Sequence, residues 1–108
     1  MSPINLLTPL PVTTDDEAVT ALLTRPGVRI ERIVSRGHVT APEADYDQPQ
    51  DEWVLLLAGA ARLWLAGRGE IALTAGDALL IPAHVRHRVT WTQAEPATVW
   101  LAVHMETR

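Results

Sequence analysis

After Gly27 the chain is cut into short apolar runs by glycine and proline, and no run is long enough for a substantial helix. The runs are "VRIERIVSR" (28–36), "EWVLLLA" (52–58), "AARLWLA" (60–66), "EIALT" (70–74), "ALLIP" (78–82), "RHRVTW" (86–91) and "TVWLAVH" (98–104). Between them stand "AGRG", "AGD" and "TQAEP". Short β-rich runs at roughly 8–12 residue spacing, closed by turn residues, predict an all-β sandwich or barrel. A βαβ unit would need an amphipathic helix between strands, and none is available. The segment "GHVTAPEADYDQPQD" (37–51) is polar, holds two prolines, and reads as a long loop.

The N-terminal part reads differently. Residues 1–13 contain Pro3, Pro9 and Pro11 and predict an extended arm. "TDDEAVTALLTRPG" predicts a short helix: Thr14 and Glu17 have capping-box spacing, acids crowd the first turn, and Pro26–Gly27 ends it. The expected organisation is an arm and helix over 1–27 and a barrel domain over 28–108.

Composition excludes several functions. The chain has 108 residues, room for one domain. With no cysteine, disulfides, zinc–thiolate sites and thiol nucleophiles are impossible. A net charge of −4 without a basic stripe argues against a nucleic-acid partner. No apolar run approaches the ~20 residues of a membrane span, and the first residues lack the pattern of a signal peptide, so the cytoplasm is the expected location. "AGRGE" lacks the spacing of a phosphate loop, and neither Ser2 nor Ser35 lies in a nucleophile elbow.

Strand parity selects the candidate site residues, because successive side chains of a strand point to opposite faces. Over 52–58 one face is Trp53, Leu55 and Leu57, and the other is Glu52, Val54 and Leu56. A carboxylate on an apolar face is costly unless it is paired or coordinated. Over 86–91, Arg86, Arg88 and Thr90 suit solvent, and His87, Val89 and Trp91 form the inward set. His104 shares a face with Trp100 and Ala102, but both faces of 98–104 are apolar, so parity alone does not orient it. His38 is expected in solvent.

These residues resemble the cupins, small jelly-roll barrels of the double-stranded β-helix type. The second cupin motif has the form G-x5-P-x-G-x2-H-x3-N, and Gly76, Pro82 and His87 fall at its spacings. The first motif ends E-x6-G, matched by Glu52 and Gly59. The resemblance covers about residues 28–104. It implies a barrel pocket for a small molecule and a homodimer, and in many members a divalent metal on three histidines and one glutamate. This chain departs from that set. Both histidines of the first motif are missing: counting back from Glu52 gives Gln48 and Tyr46, or Asp47 and Asp45. His84 replaces the second motif's glycine, and Trp91 its final asparagine.

The expected metal-ligating set is therefore Glu52 and His87, with Gln48 or Asp47, holding Zn, Mn, Fe or Ni. The expected pocket residues are Tyr46, His84, Trp91 and His104. His84 reads first as a turn residue facing solvent, since histidine tolerates positive φ, and second as a contact at the pocket mouth. Three functions are open at this point: a metal-dependent enzyme, a metal-free ligand-binding or sensor barrel, and a metal-independent isomerase or epimerase with His87 as base and Tyr46 as acid.

Overall fold

A computed structural model describes residues 1–107. Eight strands follow one another: β1 (Ala18–Arg25), β2 (Val28–Ser35), β3 (Gln50–Ala58), β4 (Ala60–Leu65), β5 (Gly69–Thr74), β6 (Ala78–Ile81), β7 (His87–Thr92) and β8 (Thr98–Glu106). They form a five-stranded sheet in the order β1-β2-β8-β3-β6 and a three-stranded sheet in the order β5-β4-β7. Every pairing is antiparallel. All seven runs expected as strands are strands, with ends shifted by at most two residues.

The expected N-terminal helix is absent; its residues form β1. Ala18–Arg25 pairs antiparallel with β2 from Ala18↔Val34 to Arg25↔Val28. Pro26 and Gly27 make the two-residue turn, with Gly27 at φ +78°, the left-handed conformation that glycine adopts without steric cost. An isolated two-turn helix is marginal, whereas this run gains a ladder of backbone bonds, interrupted once at Leu22, from an equally long neighbour. Val19, Thr20 and Thr24 also favour the strand. Glu17 caps nothing; it accepts a hydrogen bond from Ser35 Oγ at 3.2 Å. Among the described residues no helix is long and apolar enough to cross a membrane.

The two sheets close over a core of Val54, Leu56, Leu63, Leu73, Ile81 and Trp100. Passage from β3 to β4, and so from one sheet to the other, turns on Gly59. Its φ is +79°, and a Cβ there would meet Thr98 Cα at 2.7 Å, so no side chain fits. The loop before β3 is not free. Thr40 N donates to Val89 O at 2.9 Å, Tyr46 and His87 exchange backbone bonds of 2.8 and 3.1 Å, and His84 N donates to Gln48 O at 2.7 Å. The loop thus lies on β7 and roofs one end of the barrel.

Candidate functional site

Strands β2, β3, β7 and β8 carry the site, and register explains why the polar residues of β2, β3 and β8 meet. On β3 the inward face reads Glu52, Val54, Leu56; on β8 it reads Trp100, Ala102, His104. Their antiparallel register pairs Glu52↔His104, Val54↔Ala102 and Leu56↔Trp100. On β2, Arg29 pairs with His104 and Ile33 with Trp100. The polar residues therefore gather at one end of the barrel and the apolar ones at the other.

That end opens into a cavity of about 390 Å³. Val54, Leu63, Ile81, Trp100 and Ala102 form its apolar wall, and Glu52, His87, His104, Gln48, Glu31 and Glu17 also line it. Glu52, His87 and His104 are 8%, 5% and 7% exposed. Tyr46, 40% exposed, lies at the rim and stacks on the His87 ring with centroids 5.4 Å apart.

A chain of polar contacts crosses the cavity. His87 Nδ1 donates to Val85 O at 2.9 Å, which fixes the ring and leaves Nε2 facing Glu52 Oε1 at 3.5 Å. Gln48 Nε2 donates to the same Glu52 oxygen at 3.2 Å. The Gln48 carbonyl then faces His104 Nδ1 at 3.1 Å, and His104 Nε2 faces Glu31 Oε1 at 3.1 Å. Glu31 also pairs with Arg29 at 3.3 Å.

These contacts set the acid–base properties. Burial by itself would raise the Glu52 carboxyl. The His87 hydrogen bond, the charges of His104 and His87, and the Gln48 amide outweigh it and hold Glu52 below its ordinary 4.5. Burial likewise pulls the His87 imidazole down, but the bonds to Glu52 and Val85 O and the charges of Glu52 and Asp45 push it above 6.5. Burial and the charges of Glu17 and Glu52 raise the Tyr46 phenol, keeping it protonated. Burial also raises the Glu17 carboxyl, against its Ser35 hydrogen bond.

The expected site residues divide into two groups. Glu52, His87, Gln48, His104 and Tyr46 all line the cavity, and β8 turns the His104 face inward. Asp47, His84 and Trp91 do not line it. Asp47 and His84 pair with each other at 3.0 Å on the surface, and His84 adopts φ +64° in a turn where the resemblance had glycine. Trp91 is turned outward by a β-bulge. β7 pairs Val89 with Leu63 but Trp91 with Arg62, so Thr90 is an extra residue and parity reverses beyond it. Trp91 is 44% exposed beneath the Arg62 guanidinium, and Thr92 takes the buried position instead. His38 also differs from expectation: it accepts from Arg36 N at 2.9 Å and its Nε2 lies 2.9 Å from Thr14 O. Glu17, Arg29 and Glu31 were missed. Arg29 and Glu31 could have been found by alternation with Ile33 on one face of β2; Glu17 was hidden by the helix reading.

The donor set does not fit a tightly held divalent metal. Among the described residues no group of three or more His, Asp or Glu side chains is placed to share an ion. Glu52 and His87 face each other at 3.5 Å. His104 has both ring nitrogens committed, and the Gln48 amide turns its NH2, not its oxygen, toward Glu52.

Residues 33–104 match the family model described as a cupin domain. A protein from Ralstonia eutropha JMP134, described as a "putative mannose-6-phosphate isomerase", is 44% identical over 99% of this chain and 100% of its own, with a TM-score of 0.93. A cupin superfamily protein from Desulfitobacterium hafniense DCB-2 is 20% identical over 98% of this chain and 92% of its own, with a TM-score of 0.81. A cupin with a double-stranded β-helix fold from Methanocaldococcus jannaschii is 15% identical over 90% of this chain and 86% of its own, with a TM-score of 0.70. The last two likenesses concern the fold alone. Among curated proteins none matches the chain.

Proposed function

The chain belongs to the cupin-domain family, and from that premise we propose that its cavity binds a small polar molecule and moves a proton on it without a metal. The observation that carries this reading is the buried His87–Glu52 pair, 3.5 Å apart at a cavity wall. Val85 O holds the proton of Nδ1, so Nε2 is the atom that gains and loses one. Charged, His87 is a general acid; neutral, its Nε2 lone pair is a base. Glu52, kept ionised, stabilises the charged form. Tyr46, kept protonated beside the ring, supplies a second proton donor. Reversible proton transfer of this kind is the chemistry of isomerases and epimerases; the Ralstonia protein's description names an isomerase of a phosphorylated sugar, and only the reaction class is carried over here.

A divalent Zn, Mn, Fe or Ni ion in this cavity would have to take Glu52 and His87, with Gln48 turned over as a weak third donor. That rearrangement would dismantle the contact to His104, which is why the metal-free reading is preferred.

Solvent deuterium exchange into hydroxyacetone, a small enolisable probe, tests the proposal by proton NMR. The expected result is exchange above the buffer rate, unchanged by EDTA and lowered on the order of 100-fold or more in His87→Gln. Exchange no faster than buffer would sink the acid–base reading. Exchange abolished by EDTA and restored by one of the four metals would sink its metal-free part.

A further inference from the structure

We propose that the cavity selects a ligand carrying an ammonium group, with Glu17 as its recognition residue, and that it rejects phosphorylated ligands. This rests on the reading of the cavity as a small-molecule site and adds the class of molecule that enters it.

The charges along the wall carry the inference. Every cationic or imidazole group that lines the cavity already stands beside a carboxylate. Arg29 is 3.3 Å from Glu31, His104 is 3.1 Å from the same residue, and His87 is 3.5 Å from Glu52. Among the described residues Arg29 is the only arginine in the lining, and the chain has no lysine. Among the described residues a phosphate entering the cavity would meet three carboxylates and no uncommitted cation. Without charge-assisted donors its dehydration is uncompensated.

Glu17 is the exception among the lining carboxylates. Its one side-chain partner is a neutral hydroxyl, Ser35 Oγ, bound to Oε2 at 3.2 Å. Among the described residues no arginine or histidine lies within ion-pair distance of it. The nearby His38 ring is occupied by Arg36 N and Thr14 O. Glu17 precedes β1 and lines the cavity with Val19, and its charge reaches both Tyr46 and Glu52. An ammonium at that end would gain a half-buried carboxylate without a cation of its own, and the rim ring of Tyr46 as a cation–π surface. The apolar wall of Val54, Ile81 and Trp100 would hold the carbon skeleton.

Cyclohexylammonium and cyclohexanol are nearly the same shape and differ in charge, so they separate this proposal from the reading beneath it. Binding to the full chain at pH 8 is followed by the NMR shifts of the Ala102 methyl and the Trp100 indole. The expected result is at least about tenfold tighter binding of the ammonium than of the alcohol, with no competition from inorganic phosphate. Glu17→Gln is expected to erase that preference while leaving alcohol binding in place, and Glu17→Asp to keep most of it. Equal or tighter alcohol binding, an unchanged preference in Glu17→Gln, or competition by phosphate overturns the amine inference and leaves the cavity reading standing. If neither probe moves Ala102 or Trp100, both fall.

Discussion

The two ends of the barrel interior are built from the same strands and differ in one respect. At the closed end, Leu56 packs in one buried apolar cluster with Leu63 and Trp100, which also form part of the cavity's apolar wall. At the open end, four residues further along the inward faces of β3 and β8, Glu52 meets His104, and His87 joins them from β7. One end is satisfied by shape, the other by hydrogen bonds. Register decides which is which: a shift of two residues between β3 and β8 would put Glu52 opposite Ala102 and leave His104 without Gln48. The cost of burying the Glu52 charge is offset here because partners arrive from three separate elements: Gln48 from the loop, His87 from β7 and His104 from β8.

The difference can be tested by disturbing each end. Leu56 is 0% exposed, and Leu56→Ala should lower stability by about 2–5 kcal/mol in urea denaturation. A loss under ~1 kcal/mol would show that the closed end is not tightly packed.

The open end should respond to pH. Glu52 is held below its ordinary 4.5, so its contribution is complete above that value and is lost as pH falls through the depressed one. His87 is held above 6.5, so its contribution is complete below 6.5 and is lost as pH rises through the raised value. Glu17, a raised carboxyl, opposes Glu52 in the acid range, which leaves the alkaline limb as the clean signal. The melting temperature of the wild type should fall by on the order of a few degrees above pH 6.5, and His87→Gln should flatten that fall. An alkaline limb of the same depth in the variant would mean that the pair does not stabilise the fold.

Trp91 provides the smallest expected change. Trp91→Ala loses an exposed ring and one cation–π contact, so stability should change by less than about 1 kcal/mol. The NMR signals of Ala102 and Trp100 should stay where they are. Movement of those signals would place Trp91 nearer the cavity than the bulge allows.

Much of this was legible in the chain. Turn spacing gave seven of the eight strands, and parity turned Glu52 and His87 inward, because both depend only on local rules. What escaped depends on pairing. The run before Pro26–Gly27 looks helical in isolation; only its alignment with β2 makes it a strand. The bulge at Thr90 has no marker such as glycine, so parity carried Trp91 to the wrong face. His104 could not be oriented while both faces of β8 were apolar; its contact with Gln48, fifty-six residues away, supplies what periodicity lacked. The 3.5 Å approach of Glu52 and His87 likewise depends on the placement of two strands, which motif spacing does not describe.

The backbone exchange between Tyr46 and His87 bears on how freely this site can change. The roof over the cavity is tied to β7 through main-chain atoms of the residue whose side chain carries the proposed chemistry. Replacing the imidazole removes the reactive group but not the tie. A barrel of this design can trade one chemistry for another at position 87 without first surrendering the wall that encloses it, which makes His87 a natural place to install a new activity.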